Sequence, residues 1–376
     1  MWSLVGLICV YLAVVVAHSV SDTELEFVFL VFRHGDRTPV PPSLYFTDQI
    51  EEISKAVERY GWSQLTDNGK LRSYRLGELI QNRYQSLISS HYNQSEVFIR
   101  STNSARAKMS VLTALAAIYP PLKPSWSNKI NWDPVPYTTV PVKYDFNLGT
   151  VNCPIFNETY YDLFMTSVSS MNEYTDLLAM LSPLVNFDLV SYPAQIYGVN
   201  DLFQSMLSLG ITLKPQILDV LPQIEEAAGK AINHIFGNDQ YIHLQAGTFL
   251  QEFFNYADKI VQGQNTPRMR IYSAHDFNVF SLQAVTRVTE RQGAPKYSSF
   301  YALELRKVRC TGEYVVVPVY LPEPGADIKQ LEIQECGALC DYEQFQDITK
   351  DYVLDIATWR TECGWSEDIH IDETII

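Results

Sequence analysis

Three stretches of this 376-residue chain place charged side chains directly after apolar runs. Arg33, His34 and Arg37 follow the first run, Arg100 the second, and His275 with Asp276 the third. Together they would supply guanidiniums, imidazoles and a carboxyl, an inventory suited to phosphoryl transfer. Guanidinium forks match phosphate oxygens in a bidentate way and offset the charge of the transferring group. A neutral imidazole is a nucleophile that splits one hard displacement into two easier ones. A protonated carboxyl can donate to the leaving oxygen.

Such residues act together only if the chain brings the three run ends to one place. Leu25 to Phe32 is almost continuously apolar, which predicts a strand buried on both faces, as in a parallel sheet. Gly35 and Pro39 then mark a loop. Ligands of open α/β sheets bind just beyond the carboxyl ends of such strands. Thr66 is a candidate cap, and Leu76, Leu79, Ile80, Tyr84, Leu87 and Ile88 recur at helical spacing between Leu71 and Ile88. Val97 to Ile99 reads as a short strand ending at Arg100, and Ser104 to Ala117 as a helix. Residues 119–141 look irregular, and 155–263 read as mostly helical. Strand signal resumes at Met269 to Ala274, then at Tyr301 to Val308 and Tyr314 to Tyr320. The expected fold class is α/β: a three-layer α/β/α core with a mostly parallel sheet, formed by 20–154 and 264–376, with 155–263 inserted as a helical cap.

Composition bounds the context. Hydrophobic residues make up 47% and charged residues 19%, ordinary for a globular chain. Residues 1–19 carry no Asp, Glu, Lys or Arg, and the run Leu4 to Ala17 suits a signal-peptide core, with Ala17 and Ser19 at the −3 and −1 positions of a cleavage site. The expectation is a secreted, extracellular protein with no membrane anchor after cleavage. Cys9 leaves with the leader, so Cys153, Cys310, Cys336, Cys340 and Cys363 remain. That number is odd, so at least one thiol is free or pairs between chains, and a homodimer stays open. Cys336 and Cys340 can meet across one local turn, and no zinc pattern surrounds them. Asn93 and Asn157 stand in glycosylation sequons. The formal net charge of −15 argues against nucleic acid and anionic membranes as partners. A phosphate site would need a local arginine cluster set against that field.

The motif Arg33 to Pro39 resembles the R-H-G-x-R-x-P signature of the histidine acid phosphatases. The likeness continues through Leu65, Thr66 and Gly69 into Leu76, Gly77, Arg83 and Tyr84. It takes in Phe98 to Thr102, Tyr272 to Asp276, Ala294 to Leu305, and the Cys336, Cys340 pair. It spans about residues 25 to 363 and is nearest to the prostatic and lysosomal branch. The resemblance implies a small phosphate monoester or phosphoprotein substrate and no metal or other cofactor. It implies His34 as nucleophile and Asp276 as general acid. Arg33, Arg37, Arg100 and His275 would hold the phosphoryl group. An acidic optimum follows from the need to keep Asp276 protonated. The resemblance further implies the disulfides Cys153–Cys363 and Cys336–Cys340. Cys310 departs from the family, since the partner expected for it in the cap is missing.

Asp36 and Arg106 are read as structural, ion-paired or capping residues, and His18, His91, His234, His243 and His370 lack chemical company. Rival readings are a phytase-like phosphatase on inositol phosphates, a mutase-like phosphotransferase, and a secreted non-catalytic binding protein on the same fold.

Overall fold

Strand β1, Thr23–Arg33, carries the logic of the fold. Its residues Phe27 to Phe32 are fully buried. Side chains alternate across a strand, so one sequence serves two faces. Phe27, Phe29 and Val31 enter one apolar cluster, and Val28, Leu30 and Phe32 the opposite one. That is why the run is apolar at every position.

The structure is a computed structural model that describes residues 19–371 except 124, 125, 149 and 167. The expected signal peptide thus lies, but for Ser19, outside the described residues. The remaining strands are β2 (Val97–Ser101), β3 (Thr138–Thr139), β4 (Met269–Ala274), β5 (Phe300–Val308), β6 (Tyr314–Leu321), β7 (Lys329–Gln330) and β8 (Cys340–Asp341). The sheet runs β3-β2-β4-β1-β5-β6-β7, with β8 also on β6. β3, β2, β4 and β1 run parallel to one another, whereas β5 pairs antiparallel with β1 and β6, and β7 and β8 pair antiparallel with β6. Parallel pairing puts the ends of β1, β2 and β4 side by side, with Ser101 opposite Ser273 and Arg33 opposite Ala274.

The helices are α1 (Ile50–Val57), α2 (Asp67–Tyr84), α3 (Ala105–Ile118), α4 (Pro154–Met165), α5 (Thr175–Val185), α6 (Ile196–Ser208), α7 (Pro215–Leu218), α8 (Leu221–Phe236), α9 (Ile242–Val261), α10 (Asp276–Val285), α11 (Tyr342–Thr349) and α12 (Ile356–Glu362). α2 and α3 cover one face, where Leu76, Ile80, Val111 and Leu115 meet the even-numbered residues of β1. α9 and α10 cover the other, where Phe249 packs 4.8 Å from Phe29 and Val279 and Leu282 join the same cluster.

The interval expected as an inserted cap, 155–263, ends in α9. The interval 155–263 is helical among its described residues, but its last helix lies on the sheet. The physical reason is the Phe249, Phe253 and Ala257 face, which needs an apolar partner and finds it on β1. Helices α4 to α6 and α8 instead share a separate cluster containing Leu181, Leu202, Phe203 and Ile232. Disulfides join Cys153 to Cys363 and Cys336 to Cys340, while Cys310 is exposed with a free thiol. Among the described residues, no helix is long and apolar enough to cross a membrane.

Candidate active site

Backbone hydrogen bonds hold the end of β1 in place. His34 N–H donates to the Ala274 carbonyl at 3.0 Å, and Ser298 N–H donates to the His34 carbonyl at 3.1 Å. Gly35 then passes so close to α2 that a Cβ there would lie 2.3 Å from the Gly69 carbonyl oxygen. No larger residue fits without displacing backbone. The turn is further fixed by Ser110 on α3, whose hydroxyl accepts from Gly35 N–H at 3.0 Å.

His34 is buried, and its Nδ1 lies 2.8 Å from the Gly35 carbonyl oxygen. A carbonyl can only accept, so Nδ1 carries the proton and Nε2 keeps a lone pair. Nε2 accepts from Arg106 Nε at 3.0 Å. Burial first, then the Arg106 cation, holds the His34 imidazolium well below its ordinary pKa. Both effects favour the neutral ring with its lone pair on Nε2.

Three cations surround it. Arg33 Nη1 donates to the Pro295 carbonyl at 2.7 Å, and its Nη2 reaches Asp201 Oδ1 at 2.9 Å and Asp276 Oδ2 at 3.0 Å. Its guanidinium stacks 4.2 Å from the centre of the Tyr297 ring. Arg37 Nη2 donates to Asp201 Oδ2 at 2.5 Å and Nη1 to Ser205 Oγ at 3.0 Å. The Nε atoms of Arg33 and Arg37 are buried without an acceptor. Arg106 forms no ion pair among the described residues, and burial, then the Arg37 charge, pushes its guanidinium down to about 9. Buried donors without acceptors cost free energy unless an anion satisfies them. This cluster therefore offers unsatisfied donors that an anion could meet.

His275 precedes α10, and its Nε2 lies 3.1 Å from Thr102 Oγ1 while Nδ1 lies 3.5 Å from Arg106 Nη2. A guanidinium can only donate, so Nδ1 is the acceptor and the proton sits on Nε2. His275 thus stands in the same cluster as His34, in contact with Arg106 and Thr102. Asp276 opens α10, takes the Phe277 N–H at 3.0 Å and faces Arg33.

Arg100 does not join them. Its guanidinium pairs with buried Asp145, which also accepts the Leu148 N–H at 2.9 Å. Arg106, read from sequence as structural, is the guanidinium that meets both imidazoles. A clue was present: a cation in the first turn of a helix opposes the helix dipole, and a broken local rule often marks function. Asp36 is structural as expected, ion-paired with Arg72 at 2.7 Å. Among the described residues no cluster of three or more His, Cys, Asp or Glu could hold a metal ion.

Residues 24–261 match the model of the histidine phosphatase superfamily (branch 2). The chain belongs to that superfamily. Among its relatives, human prostatic acid phosphatase is 31% identical over 92% of this chain and 89% of its own. The Bos taurus prostatic enzyme is 30% identical over 91% and 88%, and the Rattus norvegicus lysosomal acid phosphatase 28% over 94% and 83%. Among solved structures, a Hafnia alvei phytase bound to tartrate superposes with a TM-score of 0.63 at 13% identity, covering 89% of this chain and 98% of its own. The Citrobacter braakii phytase gives 0.63 and 13% over 90% and 99%. The likeness to the phytases shows the fold.

In this branch 2 chain the sequence gives little warning of Asp201. It sits on α6, and its carboxylate spans two arginines of the signature loop. Burial opposes its charge, but Arg37 and then Arg33 win and hold the carboxyl below its ordinary value. The available signal was a polar pair four apart, Asp201 and Ser205, on a helix with buried Leu202, Phe203 and Met206.

Proposed function

We propose that this histidine phosphatase is a secreted acid phosphatase that hydrolyses phosphate monoesters through a phosphohistidine on His34. The observation that carries the reading is the His34 tautomer. The Gly35 carbonyl keeps the proton on Nδ1, and the unprotonated Nε2 accepts from Arg106, while the Nε atoms of Arg33 and Arg37 are buried without an acceptor. The acid phosphatase relatives support the same chemistry.

The phosphoryl group seats among Arg33, Arg37 and Arg106, in place of the Arg106 contact to Nε2. The Nε2 lone pair attacks phosphorus in line, the ester P–O bond breaks, and the proton of Asp276 goes to the leaving oxygen. The Gly35 carbonyl steadies the positive charge that then spreads over the ring. Water attacks next, its proton passes to Asp276, the P–N bond breaks, and phosphate departs.

A cleft of about 530 Å³ beside Arg33 and Tyr297 is the place for the leaving group. Two of its cations are already cross-paired. Lys296 lies 3.6 Å from Glu225 and 3.5 Å from Glu323, and Arg72 lies 3.1 Å from Glu323. The pairing of Lys296 and Arg72 favours a small monoester or phosphoprotein over a polyanionic inositol phosphate, with Arg75 as a further cation of the cleft. In this reading residues 1–19 are a signal peptide and Asn93 and Asn157, both exposed, carry glycans.

The test is phosphate release from an aryl phosphate between about pH 4 and 8, spanning carboxyl and imidazole titration, with chelator present. Activity that is strongest in acid and absent from His34→Ala is expected. Equal activity in His34→Ala would sink the proposal.

A further inference from the structure

We propose that Asp201, carried by α6, is a positioning residue for phosphoryl transfer. This proposal rests on the phosphatase reading of His34. The carboxylate clamps the signature loop, one oxygen on each guanidinium: Oδ1 on Arg33 Nη2 at 2.9 Å and Oδ2 on Arg37 Nη2 at 2.5 Å. It engages the terminal nitrogens and not the Nε donors, which are buried without an acceptor. Its own helix adds a second hold on Arg37 through Ser205, whose hydroxyl also lies 2.9 Å from the Tyr297 hydroxyl.

The charge inventory requires such a group. Arg33, Arg37 and Arg106 are all buried in one site. Asp201 is the one carboxylate that pairs with both Arg33 and Arg37 among the described residues, since Asp276 pairs with Arg33 alone. Asp276 must give up and regain a proton in each cycle, so Asp201 supplies the constant negative charge. It lets two guanidiniums stand close without drifting apart and fixes the planes of their forks. The consequence is that α6 must be seated before the arginines are aligned.

This role separates turnover from anion binding. Asp201→Asn removes a negative charge beside the phosphate seat, so the affinity for inorganic phosphate holds or rises. The forks lose their fixed planes, so kcat falls. Small misplacements of binding groups cost up to about a hundredfold in rate. The experiment compares wild type, Asp201→Asn and Ser205→Ala by kcat on an aryl phosphate and by calorimetric Kd for inorganic phosphate. Expected are a kcat lowered at least about tenfold in Asp201→Asn and a smaller loss of the same kind in Ser205→Ala. The Kd for phosphate should be unchanged or tighter in both. A kcat close to wild type in both variants overturns the proposal. So does a parallel loss of kcat and phosphate affinity, which would make Asp201 a strut that holds the pocket together. Should Asp201→Asn not fold, Ser205→Ala decides by the same two readings. Inactive wild type that still binds phosphate would count against the phosphatase reading itself.

Discussion

Arg106 and Arg100 are six residues apart, and the structure gives them opposite assignments. Arg106→Met removes a buried cation that has no carboxylate partner among the described residues and whose Nε donates to His34. Loss of one preorganised donor to a transition-state oxyanion costs about 3–4 kcal/mol, so kcat/KM should fall roughly 10²–10³-fold. Stability should hold or improve, because an uncompensated buried charge is gone. The pH profile should also change. The Arg106 charge helps to hold the His34 imidazolium down, so its removal lets His34 protonate at higher pH, and residual activity should fade sooner on the acid side. Arg100→Met does the reverse. It strands Asp145, whose carboxyl burial already pushes up despite Arg100, and should cost about 3–5 kcal/mol of stability. Turnover per folded molecule should stay within about threefold of wild type. Urea unfolding and steady-state kinetics on both variants make the assay. If Arg100→Met lost activity while Arg106→Met kept it, the assignment of the third arginine would be refuted.

Other expectations follow from the same geometry. Asp276→Asn should slow alkyl phosphates far more than a nitrophenyl phosphate, by about 10² or more, since only a poor leaving group needs the proton; equal losses would leave Asp276 as an orienting group. His34 and His275 are buried with pKa values pressed well below 6.5, by burial first and Arg106 second. Below about pH 6.5 the unfolded chain therefore binds protons that the folded one refuses, and stability falls as pH falls, by up to about 1.4 kcal/mol per pH unit for each ring. His275→Asn should flatten that slope between pH 6 and 5 in urea unfolding; an unchanged slope would contradict the buried neutral ring. The Cys153–Cys363 bridge spans 210 residues and the Cys336–Cys340 bridge 4. Loop closure makes the first worth about 5 kcal/mol and the second about 2, so replacing each pair by serine should lower the urea midpoint much further for the first. Similar losses would point to strain or residual structure instead.

The residues that were legible in the sequence are those whose local pattern has one meaning. An unbroken apolar run such as Phe27 to Phe32 must be buried on both faces, and the strand follows from it. The charged groups after it had to sit at the sheet's carboxyl edge, so Arg33, His34 and Arg37 could be named early. Arg100 also stands near the end of a strand, but strand position does not say which way a side chain points, and it turned to Asp145. Arg106 is drawn in because α3 begins at that same edge, a relation set by the sheet order rather than by its neighbours in sequence. Asp201 lies 164 residues from Arg37, and its contact depends on how α6 packs over the core. The cap boundary was blurred for a like reason. α9 and α8 are both amphipathic helices, and only their tertiary partners separate them.

The proposed mechanism turns on a covalent bond between phosphorus and His34 Nε2. Wild type mixed with an aryl phosphate and quenched in alkali within milliseconds should carry a phosphoryl group on the peptide holding His34. That label should survive base and be lost in acid, as a phosphoramidate is, and should be absent from His34→Ala. A label on another residue, or steady phosphate release by His34→Ala, would contradict the mechanism.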